Sequence, residues 1–164
     1  MLKKHRLFLL LVFLTAVILT KPVYADDQSQ AVLLLDIEGV INPFSARYLE
    51  RGLMQAQSSN VDLVIITLNT PGGLEASMRE MVQTIMESPI PVVVYVTPSG
   101  ARATSAGLFI LMAADIAAMA PATNVGAATP VALGGEVDEV MSEKSLSDAS
   151  ALVRGLAESR GRNV

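Results

Sequence analysis

The sequence has no cysteine, no tryptophan and a single histidine, His5. Without cysteine there is no disulfide, no thiolate nucleophile and no cysteine-ligated metal. His5 lies in a leading segment that reads as removable. What remains therefore cannot form a Ser-His-Asp triad, and a zinc site there would need carboxylates alone. Neither G-x-G-x-x-G nor the Walker A loop occurs, and no internal repeat is visible.

Positive charge is also scarce. Of the 12 Lys and Arg residues, Lys3, Lys4, Arg6 and Lys21 precede Ala25, which leaves eight against 16 Asp and Glu, a net −8 beyond that point. So acidic a chain repels a phosphate backbone, and no nucleic-acid partner is expected. One lysine remains after Ala25, namely Lys144. If a serine in this chain is activated by a side-chain base, Lys144 leads, with a carboxylate second.

The first 25 residues follow a three-part pattern. Lys3, Lys4 and Arg6 come first, Leu7 to Leu19 is uncharged, and Val23-Tyr24-Ala25 places small residues where a signal peptidase cuts. Residues 1–25 are expected to be a secretory signal, which makes the remainder extracytoplasmic. The alternative is a retained membrane anchor, but the apolar run falls short of the roughly 20 residues that a span needs. Some 139 residues from position 26 onward suffice for one domain with its own core.

Apolar runs and turn signals alternate along the rest. Ala31–Ile37, Val61–Leu68 and Val92–Val96 read as buried strands, and Asp115–Met119 as a shorter one. Asn42-Pro43 opens a helix carrying Phe44, Tyr48, Leu49, Leu53 and Met54 at helical spacing. Leu74–Glu87 places Met78, Met81, Val82, Ile85 and Met86 on one face, and these methionines read as core filler. Pro121–Pro130 is expected to be a small-residue loop and Val131–Glu143 a solvated acidic one. Ser145-Leu-Ser-Asp148 has the form of a capping box that opens a last helix running to about Ser159. Strands alternating with helices argue for parallel βα units and the α/β class.

Two strand-to-helix turns could carry chemistry. Asn69-Thr-Pro-Gly-Gly73 leaves backbone amides unobstructed at a helix start, where a developing oxyanion is stabilised; it could equally be an ordinary turn. Pro98–Gly107 is rich in small residues, and its Ser105 lies at the start of a second helix, as a nucleophile or merely as a cap. Ser99 competes by type but lies further from the helix. The Ala106 amide is placed by sequence to be a second oxyanion donor. Lys144, directly before the expected last helix, meets that helix's positive end, which disfavours an ammonium and helps a base. It could also be a surface lysine among acidic residues.

Three stretches together resemble the N-terminal protease domain of the NfeD family, membrane-bound serine proteases of the ClpP class. They are Ile65-Ile-Thr-Leu-Asn-Thr-Pro-Gly-Gly-Leu74, Gly100-Ala-Arg-Ala-Thr-Ser-Ala-Gly107, and Lys144 followed by Ala149–Asn163 with its Arg-Gly-Arg-Asn ending. The resemblance spans Ala31 to Val164. It implies a ClpP/crotonase-like fold of repeated ββα units, a Ser105–Lys144 dyad, and an oxyanion region at Gly72, Gly73 and Ala106, with no cofactor and no metal. It further implies cleavage of hydrophobic peptide segments, a stomatin-like membrane protein as partner, membrane association, and self-association to dimers or larger oligomers. Residues 26–164 would then be a ClpP-like protease domain truncated at its C-terminal end relative to long family members. Thr104 stands where a smaller alanine is expected.

Two other functions stay open at this level. A crotonase-type enzyme acting on acyl-thioesters would use the same oxyanion turn, although the signal segment and Lys144 speak against it. A non-catalytic module that binds stomatin-like membrane proteins would need no activated serine.

Overall fold

The computed structural model describes residues 31–126, 128 and 139–163. Ten elements follow one another: β1 (Val32–Glu38), α1 (Pro43–Ser58), β2 (Leu63–Asn69), α2 (Glu75–Met86), β3 (Val92–Val96), β4 (Arg102–Thr104), α3 (Ala106–Ala113), β5 (Ile116–Met119), β6 (Asn124–Gly126) and α4 (Glu139–Ser159). The longer strands form one sheet in the order β1-β2-β3-β5, and the short pair β4-β6 forms a second. Every pairing is parallel.

The period-2 pattern of the strands decides which face is covered. Leu35 and Ile37 in β1, Val64, Ile66 and Leu68 in β2, and Val92, Val94 and Val96 in β3 are all buried. Leu49 and Leu53 of α1, and Met78, Met81 and Ile85 of α2, belong to the same core. The methionines are therefore packing residues, as their spacing implies. Gly52 lets α1 approach β1 closely, because a Cβ there would lie 2.5 Å from a methyl of Leu35. On the opposite face Val32, Leu34 and Ile116 remain more than half exposed.

Helix α1 starts as expected. The Asn42 side chain accepts from the amides of Phe44 (2.8 Å) and Ser45 (3.1 Å), and Ser45 Oγ accepts in return from the Asn42 amide. Pro43 occupies the first turn, where its missing N–H costs nothing. Helix α3 shows no amphipathic pattern because it is enclosed on nearly all sides. Phe109, Ile110 and Leu111 are all buried, and α3 packs against both α2 and α4.

Three expectations need correction. β4 occupies residues read as part of a turn, and β6 lies inside the stretch read as the Pro121–Pro130 loop. Each strand is only three residues long, stabilised by its pairing partner more than by its own composition. The last helix starts at Glu139, so Ser145–Asp148 is helix interior and not a capping box, and the end of the expected acidic loop is helical. The rest of that loop and the signal segment lie outside the described residues.

Candidate active site

The site grows from the end of β2. Thr70 is fully buried, and its backbone ties β2 to β4. Its amide donates to the Arg102 carbonyl (2.7 Å), and its carbonyl accepts from the Thr104 amide (3.2 Å). The Thr70 hydroxyl turns back on its own loop, accepting from the Gly72 amide at 3.0 Å and donating to the Gly72 carbonyl at 3.2 Å. Such a bond two residues along is how a threonine fixes a tight turn. The Thr104 hydroxyl donates to the same Thr70 carbonyl (3.3 Å).

Gly72 and Gly73 have different reasons for being glycine. Gly72 has φ +111°, and a Cβ on it would fall 2.6 Å from Ser105 Cβ and 3.0 Å from Ser105 Oγ. Gly73 lies flush against the chain at Ile41, where a Cβ would meet the Ile41 carbonyl oxygen at 2.0 Å. The Ile41 amide donates to the Gly72 carbonyl (2.8 Å) and the Leu74 amide to the Ile41 carbonyl (2.9 Å). The turn is thus clamped on one side by Ile41 and opens on the other toward Ser105.

Ser105 joins β4 to α3 with φ +53° and ψ −117°, a conformation that L-residues with a side chain seldom adopt. Holding it there costs on the order of 1–3 kcal/mol. The side chain makes no capping bond to α3, so Ser105 is not behaving as a helix cap. Its backbone is fixed on both sides. The amide donates to the Gly126 carbonyl of β6 (3.1 Å), and the carbonyl accepts from Leu108 (3.0 Å). In α/β-hydrolases a strained serine between strand and helix projects its hydroxyl outward. Among the described residues the amides of Gly73 and Ala106 have no hydrogen-bond acceptor, whereas that of Gly72 is taken by Thr70. The first amides of a helix are left without intrahelical partners and carry its positive end.

Ser99 is set apart. It is exposed in a turn closed by the Ala101 amide on the Pro98 carbonyl (2.9 Å), with all of β4 between it and α3.

Lys144 is exposed in the second turn of α4, not ahead of the helix as expected, so the argument from that helix's positive end does not hold. Among the described residues no hydrogen bond joins Lys144 to Ser105. Its helix is nonetheless tied to its neighbours at two points. Near Lys144, the Arg79 guanidinium of α2 bonds both Glu75 (2.9 Å) and Asp148 of α4. Those bonds to carboxylates, the one to Glu75 foremost, raise the Arg79 pKa further. At the far end, Arg160 donates to the Ala113 carbonyl (2.8 Å) and pairs with Asp115 (2.5 Å). Arg162 donates to the carbonyls of Met112 (2.5 Å) and Ala114 (2.7 Å). These are carbonyls at the end of α3, which lack intrahelical donors. Burial lowers the Arg162 pKa, as does the charge of Arg160, while Asp115 opposes them; an arginine stays charged regardless.

Between α3 and α4 lies a cleft of about 210 Å³ lined by Leu108, Phe109, Ala128, Leu146, Ala149, Ser150 and Val153. Apart from Ser150 its walls are apolar. Among the described residues no cluster of His, Cys, Asp or Glu could hold a metal ion, and no helix is long and apolar enough to cross a membrane.

Sequence reasoning missed Thr70 and Gly107. A Cβ on Gly107 would meet Thr70 Cγ2 at 2.7 Å and Ala103 Cβ at 3.3 Å, so α3 can lie this close to the β2 end only with glycine there. The Thr-Pro-Gly order was a usable sign of the Thr70 turn.

Residues 31–164 match the family model described as NfeD1b, N-terminal domain. The chain belongs to that family. It is 35% identical over 159 residues to the membrane-bound protease PH1510 of Pyrococcus horikoshii, covering 95% of this chain and 35% of the relative. It is 38% identical over 129 residues to the membrane protein NfeD1b of Bacillus subtilis, covering 79% and 29%. The chain thus spans about a third of the length of these NfeD relatives. Solved structures of the 1510-N membrane-bound stomatin-specific protease are also similar. A serine-to-alanine variant superposes with TM-score 0.75 at 35% identity, covering 82% of this chain and 66% of that one. A lysine-to-alanine variant in complex with a substrate peptide gives 0.74 at 34%, covering 82% and 62%. A ClpP1 variant from Listeria monocytogenes, at 23% identity and TM-score 0.62 over 82% of this chain and 74% of that one, shares the fold. The NfeD1b domain described here therefore has a mixed α/β fold of the ClpP type with parallel strands.

Proposed function

We propose that this NfeD1b domain is a serine endopeptidase with Ser105 as nucleophile and Lys144 as its base. The observation that carries the reading is Ser105 itself, strained at φ +53°, uncapped, and set against Gly72 where no side chain could fit. Lys144 takes the proton from Ser105 Oγ, which attacks the peptide carbonyl. The amides of Gly73 and Ala106 stabilise the oxyanion, and Gly72 leaves it room. The protonated lysine returns its proton to the leaving amine, and water then releases the acyl group. Because no bond joins Ser105 to Lys144, this dyad closes as substrate binds, a tightening common to catalytic hydrogen bonds.

The relatives support the same assignment. One is described as a stomatin-specific protease, and its solved variants replace a serine and a lysine, the latter with a substrate peptide bound. Hydrophobic segments of stomatin-like membrane proteins are accordingly the proposed substrates, with the apolar cleft between α3 and α4 beside the helix that Ser105 opens. Export through residues 1–25, membrane association, and assembly into dimers or larger oligomers complete the reading.

The test is mass spectrometry of the protein after reaction with a fluorophosphonate, alongside Ser105→Ala and Lys144→Ala. One adduct on Ser105, lost in both variants, is the expected result. A well-folded sample that takes no adduct would instead point to a binding module.

A further inference from the structure

The Arg79 side chain joins the two helices that flank the site. Helix α2 opens after Leu74, one residue beyond Gly73, and its first residue, Glu75, bonds Arg79 one turn on. The same guanidinium crosses to Asp148 of α4. Lys144 precedes Asp148 by four residues, so the two share a face of α4. The chain of contacts therefore runs from Ser105, through the Gly72-Gly73 turn packed on it, along the first turn of α2 to Arg79, and through Asp148 to the face that bears Lys144. A planar guanidinium held by two carboxylates fixes both direction and distance, which a single ammonium would not. The pair is also more than a third exposed on both sides, so it adds little to overall stability. It has an orienting use that does not depend on that.

We propose that Arg79 and Asp148 are positioning residues, a polar strut that sets the rotation and height of α4 so that Lys144 can reach Ser105. The inference rests on the Ser105–Lys144 reading above. Engaged by Arg79, the Asp148 carboxylate is also withheld from Lys144, its neighbour one turn earlier. The opposite end of α4 is fixed independently by Arg160 and Arg162, so loss of the strut swings the Lys144 end without detaching the helix.

The experiment measures the second-order rate of fluorophosphonate labelling at Ser105 in the 164-residue chain. It compares wild type, Lys144→Ala, Arg79→Ala, Asp148→Ala and the reversed pair Arg79→Glu with Asp148→Arg, with thermal unfolding followed in parallel. Each single strut variant is expected to label between about tenfold and a hundredfold more slowly, the scale of a small misplacement of a catalytic group, with the unfolding midpoint nearly unchanged. The reversed pair is expected to recover most of the rate, which a residue important only for folding would not do. Single variants that label at the wild-type rate while Lys144→Ala does not would overturn the strut and leave the dyad standing. Slow single variants with no recovery in the reversed pair would overturn it too. Full labelling in Lys144→Ala, or none in the wild type, would overturn the dyad reading and the strut with it.

Discussion

Gly72 and Ser105 occupy one volume between them: a methyl group on the glycine would lie 2.6 Å from Ser105 Cβ, well inside van der Waals contact. Gly72→Ala is therefore excluded twice, by this contact and by its φ of +111°. The variant is expected to lose about 1–3 kcal/mol of stability from strain alone. Labelling at Ser105 should fall by about a hundredfold or more as the serine is pushed aside. Chemical denaturation and fluorophosphonate kinetics read the two effects separately.

The backbone strain at Ser105 yields a prediction of opposite sign. Glycine adopts φ +53° without penalty, whereas alanine inherits the serine's strain. Ser105→Gly should then be more stable than Ser105→Ala by about 1 kcal/mol, after the greater freedom of glycine in the unfolded chain is subtracted. Both variants should be unreactive. Paired melting curves decide it, and a less stable glycine variant would mean that the conformation is not strained.

Thr70→Val tests the turn from within. The exchange keeps the shape but removes a buried hydroxyl that bonds the Gly72 amide and carbonyl. The Gly72 carbonyl keeps the Ile41 amide, but leaving the Gly72 amide unpaired is expected to cost about 1–3 kcal/mol. Hydrogen exchange at the Gly72 amide should quicken, and labelling of Ser105 should slow as the loop loosens.

Gly107→Ala tests how closely α3 must lie. Its new methyl group would meet the Thr70 side chain at 2.7 Å, in a region too enclosed to yield freely. About 1–3 kcal/mol of destabilisation is expected. Truncating the obstacle with Thr70→Ser, which keeps the hydroxyl, should recover part of it in the double variant.

Much of this architecture was legible in the sequence, for physical reasons that also explain the misses. The runs that became β1, β2 and β3 are rich in Val, Ile and Leu and bounded by turn residues, which makes them legible as strands although one face of the sheet stays partly open. The Pro-Gly-Gly turn and Ser105 were visible because only small residues tolerate so close an approach. β4 and β6 were invisible because three residues such as Arg102-Ala-Thr104 carry no pattern of their own. The start of α4 was misplaced because Ser145 and Asp148 together imitate a capping box in sequence, while in the fold the Asp148 carboxylate belongs to Arg79. No local rule registers a partner 69 residues away. The same limit hid Thr70, whose importance lies in what it joins.

Arg160 and Arg162, just past α4, close the helix that Ser105 opens. Helix α3 is eight residues long, too short to persist alone, and it begins at the strained serine. Its far end is closed by Arg160 and Arg162, which directly follow α4. A protease that trims the chain just past Ser159 would touch nothing near the hydroxyl, yet would unfasten the helix on which that hydroxyl is mounted. The integrity of the α3 terminus thus depends on two side chains that lie some fifty positions further along the chain.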